Sequence, residues 1–218
     1  MILNNRKKQE RISGLWIVAL PRPEGWKDIE DVRLWHGEGC AGGHVLFLWG
    51  EKLLLGVNME RLLILGAGQY GTVAKETAEA MGIFDEINFL DDSSENAVGK
   101  IEDIEKLDYS AAFVAIGNPD VRERLSVLIG DRKLATLIHP KALVMPSAVI
   151  GAGSIVEAGA IVCSNVTIGR ATIVMSNAVV GHDAKVGNYC QLKYSSSIGE
   201  RTKIPDKTKV ECNVVWSE

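Results

Sequence analysis

A histidine and an aspartate stand side by side at His182 and Asp183, within the stretch VGHDAKVGN at 180–188. An imidazole with its usual pKa of about 6.5 accepts a proton at neutral pH, and a neighbouring carboxylate stabilises the imidazolium that results. This pair could therefore take a proton from an amine or a hydroxyl and turn it into a nucleophile. A solvated histidine without a chemical role is the alternative interpretation.

A second chemical motif is the glycine-rich stretch GAGQYG at 66–71, which follows an apolar run and precedes helix-forming residues. Such a turn lets a phosphate approach the helix N-terminus, where free N–H groups and the helix dipole attract anions. Asp91 follows Gly71 by 20 residues, about the spacing at which a dinucleotide fold places an acid on a ribose. The motif alone would suggest a nicotinamide cofactor, and a structural turn that binds nothing is the other alternative.

The elements around this loop alternate between short apolar runs and helix-forming segments over residues 59–138. We predict strands at 61–65, 87–90, 111–116 and 135–138, and helices at 71–81, 100–107 and 119–128. This alternation predicts a small parallel sheet covered by helices, a Rossmann-like α/β half domain. Since about four strands make only half of a dinucleotide fold, nothing follows that would hold a nicotinamide.

The histidine lies in a region with a strict period. From Ile138 to Val210 every sixth residue is Ile, Val or Leu, and glycine often follows the aliphatic residue directly. A period of six predicts a parallel β-helix, whose coils have three sides and take 18 residues. We expect the aliphatic side chains to fill the prism, the glycines to adopt unusual corner angles, and Trp216 to cover the open end. The predicted domain is 139–218.

Composition excludes several classes of protein. The 218 residues are 46% hydrophobic with a net charge of −4, which argues against a disordered chain and a general nucleic-acid-binding surface. No apolar run approaches the ~20 residues of a membrane span. The four cysteines form no CxxC pair and indicate reduced thiols in a cytoplasmic protein with no metal site. Residues 1–58 are predicted to be an extension of unknown role, irregular apart from one strand at 45–49; the group His36, Cys40 and His44 there lacks a fourth ligand.

Residues 59–218 resemble the sugar O-acyltransferase family, which includes sialic-acid O-acetyltransferases and N-acetyltransferases of UDP-4-amino-sugars. The motifs that carry the resemblance are LGAGQYG (65–71), FLDD (89–92), AIGN (115–118), LIHPKA (137–142) and VGHDAKVGN (180–188). The resemblance implies a left-handed β-helix, a homotrimer and acetyl-CoA as co-substrate. It also implies acetyl transfer to an amino or hydroxyl group of a nucleotide-activated sugar.

The same resemblance implies roles for individual residues. His182 would be the general base and Asp183 its support. The sugar nucleotide would lie near the glycine loop and the next two strand ends, at Gly66, Gly68, Gln69, Tyr70, Gly71, Asp91, Asp92, Gly117 and Asn118. CoA would lie near Gln191. The charge pattern adds a basic run that could meet the coenzyme's phosphates, formed by Lys193, Arg201, Lys203, Lys207 and Lys209; solvated corners interleaved with acidic residues are the alternative interpretation. The family carries Asn and His where this chain has Met175 and Gln191, and Gly-His where it has Gln69-Tyr70; a non-catalytic nucleotide-sugar-binding or regulatory trimer is therefore the alternative.

Overall fold

The computed structural model describes residues 60–130 and 133–217 in full, together with the backbone of four strands nearer the N-terminus. The chain divides into two units, Met1–Val57 and Asn58–Glu218. In the first unit the strands are β1 (Gln9–Ile12), β2 (Leu15–Ala19), β3 (Trp35–Glu38) and β4 (His44–Leu48), in the order β1-β2-β4-β3. The strand expected at 45–49 is present as β4 (His44–Leu48), and three further strands lie in the same sheet, where an irregular chain was expected.

The second unit begins with a three-stranded parallel sheet of order β6-β5-β7. Its strands are β5 (Arg61–Leu65), β6 (Glu86–Leu90) and β7 (Ala111–Val114). Two α-helices and a 3₁₀ helix cover it: α1 (Gln69–Met81), α2 (Pro119–Ile129) and Ile101–Lys106. Alternate residues of β5 face opposite sides, so Leu62 and Ile64 pack with α1 while Leu63 and Leu65 pack with α2.

The fourth strand predicted for this sheet, at 135–138, is placed elsewhere. Leu134 makes only a single bridge to Ala112, and the strand at Leu137–Ile138 pairs with a strand of the β-helix. The apolar run LATLI is compatible with either sheet, and its pairing is decided by the coil that follows it. The sheet therefore has three strands, and the chain enters the β-helix directly.

The rest of the unit is a left-handed parallel β-helix of about four coils. Its strands are two residues long: β8 (Leu137–Ile138), β9 (Leu143–Val144), β10 (Val149–Ile150), β11 (Ile155–Val156), β12 (Ile161–Val162), β13 (Thr167–Ile168), β14 (Ile173–Val174), β15 (Val179–Val180), β16 (Lys185–Val186), β17 (Gln191–Leu192), β18 (Ser197–Ile198), β19 (Lys203–Ile204), β20 (Lys209–Val210) and β21 (Val215–Trp216). Each strand from β8 to β18 pairs in parallel with the strand 18 residues later, as Val149 does with Thr167. We call the three sides sheet 1 (β8, β11, β14, β17, β20), sheet 2 (β9, β12, β15, β18, β21) and sheet 3 (β10, β13, β16, β19).

The prism interior is built as the period of six predicts. The aliphatic residues from Val156 to Val210 are at most 3% exposed, and the small residues four places later, such as Ala178 and Ala184, are fully buried. Trp216 packs against this core in the last strand. Because every coil buries the same positions, register along the stack is fixed by packing alone.

The corners differ from the prediction. A left-handed backbone occurs three places after the aliphatic residue, at Gly153, Gly159, Asn165, Ala171, Asn177, Asp183, Tyr189, Ser195, Arg201, Lys207 and Asn213. The glycines directly after the aliphatic residue instead allow neighbouring coils to approach each other. A Cβ at Gly169 would lie 2.4 Å from the carbonyl carbon of Gly187, and one at Gly181 would lie 2.7 Å from the nitrogen of Glu200.

The side chain of Arg122 forms hydrogen bonds with both the α/β part and the β-helix. Arg122 on α2 is 1% exposed. Its Nε donates to the carbonyl of Ala171 at 2.7 Å, its Nη1 to those of Ile116 and Gly117, and its Nη2 to that of Tyr189. These carbonyl oxygens replace water around the buried charge, so the α/β part rests on sheet 1 and its adjoining corner in a defined position.

Candidate functional site

His182 lies at the corner between sheets 2 and 3, which we call the histidine corner (turns 163–166, 181–184 and 199–202). It follows β15, and its side chain is 50% exposed while Val180 beside it fills the prism. Its ring Nδ1 lies 2.8 Å from Oδ2 of Asp183. The structure therefore brings together the two residues that the sequence predicted to act as a pair.

Two neighbours hold Asp183 in its charged form. Its other oxygen, Oδ1, accepts a hydrogen bond from Nδ2 of Asn165 at 3.1 Å. The pKa of Asp183 is lowered first by the hydrogen bond with His182 and then by the one from Asn165. A carboxylate that is ionised at neutral pH can only accept, so Nδ1 of His182 must be the donor of the pair. In the neutral imidazole the opposite ring nitrogen, Nε2, is then the proton acceptor.

The glycine loop occupies the turn between β5 and α1, and its glycines serve different purposes. A Cβ at Gly71 would lie 2.1 Å from the carbonyl oxygen of Gly66, so this turn closes only without a side chain there. Gly66 itself has a φ of 108°. Gly68 is different, because a Cβ there would meet nothing within 4 Å. The loop is thus closed at its base and open at Gly68.

Helix α1 presents an uncapped N-terminus at this opening. Its N-cap is Gly68, which has no side chain to accept from the first-turn N–H groups, and no acidic residue stands in that turn. These N–H groups carry the positive end of the helix dipole. The arrangement suits an anion such as a phosphate.

The two aspartates after β6 hold the surrounding loops. Oδ2 of Asp91 accepts from the N–H of Ala67 at 2.8 Å, while Oδ1 accepts from Ser93 and Ser94. These bonds lower the pKa of Asp91, with the Ala67 N–H as the largest cause. Asp92 accepts from the N–H of Ile101 at 3.1 Å. Asp91 therefore anchors the glycine loop, a role that the sequence did not reveal.

Gly117 and Asn118 follow β7 at the same edge of the sheet. Oδ1 of Asn118 caps α2 by accepting from the N–H groups of Asp120 and Val121 at 2.9 and 3.2 Å. A Cβ at Gly117 would meet nothing within 4 Å. Because β5, β6 and β7 are parallel, the glycine loop, the aspartates and this turn lie together at the carboxyl edge of the sheet, where α/β sheets bind ligands.

The histidine pair and this carboxyl edge lie on different sides of one chain. The α/β part packs on sheet 1 through Ile155, Ile173 and Met175. The histidine corner joins sheets 2 and 3 and is therefore opposite that packed face. Within a single chain the predicted nucleotide-sugar residues and His182 are not brought together.

The amino-acid sequence is similar to those of known proteins. Residues 61–127 match the family described as PglD N-terminal domain. Over 110 residues the chain is 32% identical to the UDP-N-acetylbacillosamine N-acetyltransferase of Bacillus subtilis (strain 168), a match that covers 44% of this chain and 51% of that protein. The chain thus spans about half the length of this curated relative.

A solved structure is similar to this protein over most of the chain. It is a mutant of perosamine N-acetyltransferase from Caulobacter crescentus in complex with CoA and GDP-perosamine, with a TM-score of 0.56 and 25% identity over 72% of this chain and 90% of that one. Over most of its length this chain is thus similar to a sugar N-acetyltransferase. A second structure from the same organism, PerB with CoA and GDP-perosamine, has the same fold, with 24% identity, a TM-score of 0.50 and coverage of 72% and 91%.

The residues predicted for CoA do not form one patch. Gln191 lies on sheet 1, where its Nε2 is 3.9 Å from Sδ of Met175. Lys193 pairs with Glu211 at 2.6 Å, and the hydrogen bond to Glu211 raises its pKa. Arg201 stands apart from both at the histidine corner. A CoA role for these three residues stays a prediction.

The basic run between Lys193 and Lys209 is largely occupied within the chain. Lys207 contacts both Asp120 and Glu123 on α2 at 2.7 Å, and these hydrogen bonds raise its pKa. Lys209 lies 3.6 Å from Glu211. Lys207 therefore joins α2 to the β-helix, and a phosphate contact for it stays a prediction.

Tyr70 differs most from its predicted role. Its hydroxyl is buried, as is Oε1 of Glu157, and neither atom has a hydrogen-bond partner of normal geometry within the described residues. Burial raises the pKa of Tyr70 well above its usual value, and the nearby Glu157 raises it further. Oε2 of Glu157 accepts from the N–H and Oγ of Ser176 at 3.0 and 2.8 Å. The Tyr70 hydroxyl is thus directed into the domain interface.

Sequence reasoning missed Glu157, Ser176 and Arg122. A carboxylate at a β-helix corner is ordinarily exposed, and only the packing of the α/β part buries this one to 2% exposure. Burial raises the pKa of Glu157 against the opposing effect of the Ser176 bonds. No short motif marks such a contact.

The described part of the chain has neither a cluster of metal-binding side chains nor a helix that could span a membrane. Residues 60–130 and 133–217 contain no group of three or more His, Cys, Asp or Glu side chains arranged to hold a metal. None of their helices has the length and apolar character needed to cross a membrane. The side chains of His36, Cys40 and His44 lie outside the described residues. A cleft of ≈ 520 Å³ between the 3₁₀ helix and α2 includes Asp92 alone among the predicted site residues.

Proposed function

We propose that this protein transfers an acetyl group from acetyl-CoA to an amino or hydroxyl group of a nucleotide-activated sugar. The observation that carries the proposal is the 2.8 Å contact between Nδ1 of His182 and Oδ2 of Asp183 on an exposed corner. Similarity to sugar N-acetyltransferases and the uncapped N-terminus of α1 support it. The two Caulobacter crescentus structures named above contain CoA and GDP-perosamine.

His182 acts as the general base. Nε2 accepts a proton from the acceptor amine or hydroxyl as its nitrogen or oxygen attacks the thioester carbonyl. The tetrahedral intermediate expels CoA as its thiolate, and the imidazolium returns the proton to that sulfur or to solvent. Asp183 stays ionised throughout and stabilises the positive ring.

The glycine loop holds the sugar nucleotide by its phosphates. The free N–H groups at the start of α1, opened by Gly68, supply donors and a positive dipole end for a diphosphate. Gly117 leaves space beside them for the nucleoside, and Asn118 lies next to it. The hydrogen bond from the N–H of Ala67 to Asp91 keeps the loop in this shape.

A homotrimer completes the site. Because one chain separates its carboxyl edge from its histidine corner, the sugar nucleotide held by one protomer must meet His182 of a neighbour. Sheet 2 presents an outward stripe of Leu143, Ile161, Val179, Ser197 and Val215, apolar except for Ser197, in which Leu143 and Val215 are 51% and 69% exposed. This stripe borders the histidine corner and suits a subunit contact.

The experiment that tests the function is a thioester-release assay with acetyl-CoA and a panel of UDP- and GDP-amino sugars. Thiol release that requires one of the sugars supports the transferase. Tight binding of a sugar nucleotide without any release would favour the non-catalytic alternative, for which the chain's Met175 and Gln191 are the motivating features. The three-stranded sheet, followed directly by the β-helix, leaves no second half for a nicotinamide among residues 60–130 and 133–217.

A further inference from the structure

Asn165 occupies the same corner position as Asp183, one coil earlier. The strands before them are in register, with Ile161 paired to Val179, and both corner residues have left-handed backbone with φ of 60° and 61°. Equal backbone conformations at equal coil positions project side chains in parallel. The Asn165 amide therefore reaches the Asp183 carboxylate, with Nδ2 donating to Oδ1 at 3.1 Å.

The backbone of Asn165 is held by the coil before it. Its N–H donates to Oγ of Ser147 at 3.0 Å. On the opposite side, the N–H of Arg201 donates to the backbone carbonyl of His182 at 2.9 Å. Hydrogen bonds thus join successive coils at this corner, from Ser147 to Asn165, from Asn165 to Asp183 and from His182 to Arg201.

We propose that Asn165 is a positioning residue for the base: by holding Oδ1 of Asp183, it aims Oδ2 at Nδ1 of His182. This fixes the imidazole tautomer in which Nε2 has no proton. The inference rests on the proposed function for its catalytic consequence, but its structural consequence is independent of any substrate.

The need for such a residue follows from exposure. The side chains of His182 and Asp183 are 50% and 45% exposed, so water competes for every hydrogen bond between them. A carboxylate at such a corner turns freely unless a second contact holds it. Asn165 supplies that contact, and loss of a hydrogen bond to a charged group reduces a rate by about tenfold or more.

The test measures the tautomer directly in the full-length protein. ¹⁵N shifts of the His182 ring, assigned by their loss in His182→Ala, are recorded for the natural protein, Asn165→Gly and Asn165→Asp. Glycine removes the amide and tolerates the left-handed backbone, while aspartate keeps the shape but cannot donate. Asn213→Gly is the control, because Asn213 is exposed and has the same backbone conformation with a φ of 58°.

In both Asn165 variants we expect the two ring-nitrogen shifts to converge, as the two tautomers mix. In the transfer assay kcat falls about tenfold with unchanged KM for both substrates. The control changes neither quantity. Ring shifts in Asn165→Asp identical to those of the natural protein overturn the proposal. If the natural protein releases no thiol, the proposed function fails, while the ring shifts still decide the positioning role.

Discussion

The guanidinium of Arg122 donates from Nε to the backbone carbonyl of Ala171 at 2.7 Å, joining residues 49 positions apart in the chain. No carboxylate is among the hydrogen-bond acceptors of this buried side chain, which are backbone carbonyls on both sides of the domain junction. A buried charge held by carbonyl dipoles is costly to disturb, because removal of the side chain leaves those carbonyls unsatisfied. Arg122 is therefore a major contact between the α/β part and the β-helix, beside the Lys207 ion pairs and the apolar packing on sheet 1.

Replacing Arg122 with alanine should destabilise the protein by about 3–5 kcal/mol, as expected for breaking a buried charged network. Urea unfolding followed by fluorescence and circular dichroism measures the loss. Arg124→Ala on the same helix is the control, since Arg124 is exposed and should change stability by less than about 0.5 kcal/mol. Equal stability of the two variants would contradict the role given to Arg122.

The buried carboxyl of Glu157 should make stability depend on pH. Its pKa is raised in the folded protein by burial. The folded state then holds this proton more tightly than the unfolded state, so stability is greatest below the unfolded pKa and decreases as pH rises through the folded one. Glu157→Gln removes the titration and should flatten that decrease above about pH 4.3.

Urea unfolding of Glu157→Gln between pH 4 and pH 8 checks this sign. Glu95→Gln, at an exposed position, is the matched control and should retain the pH dependence of the natural protein. A Glu157→Gln variant whose stability falls with pH as steeply as the control would show that Glu157 is not the group responsible.

Gly68→Asp should separate stability from substrate binding. The N-cap position of α1 is extended, with φ −76° and ψ −170°, and aspartate is a favoured N-cap, so we expect stability to rise by a few tenths of a kcal/mol. The same carboxylate occupies the anion site and repels phosphate, so KM for the nucleotide sugar should rise about tenfold or more.

Thermal unfolding and initial-rate kinetics measure the two effects. Gly71→Ala is the contrasting variant, since its Cβ would lie 2.1 Å from the carbonyl oxygen of Gly66 and should lower stability. If the Gly68→Asp protein has the natural KM, the phosphate does not bind at the start of α1.

A shared site can be tested by mixing two impaired variants. In trimers assembled at random from equal amounts of His182→Ala and Gly68→Asp, a site needs an intact loop from one protomer and an intact histidine from its neighbour. Each condition is met half of the time, so about a quarter of the natural activity should return at low substrate concentration. Activity no higher than the average of the two variants measured separately would indicate a site within one protomer.

The β-helix could be predicted from sequence because its rule is local and repeated. One aliphatic residue in every six fixes the inward face of each strand, and Val156, Val174 and Leu192 stack in the same sheet as expected. The position of His182 followed from its offset to Val180. The loop 66–71 was recognised for the same reason, since its glycines stand between a strand and a helix.

The contacts that were missed join residues far apart without any period. Arg122 reaches the β-helix, Lys207 pairs with Asp120 at a separation of 87 residues, and Glu157 meets Tyr70 only after the domains dock. The left-handed corner residues were also misplaced. All nine of those from Asn165 onwards carry side chains, so no glycine marked their left-handed backbone, which the closure of each coil imposes.

The most direct test of the central claim is the turnover of His182→Ala with acetyl-CoA and the sugar nucleotide that the natural protein accepts. Removal of the general base should lower kcat by about 10²- to 10⁴-fold or abolish it, while light scattering shows an unchanged trimer. Turnover at the natural rate in an intact His182→Ala trimer would contradict the account.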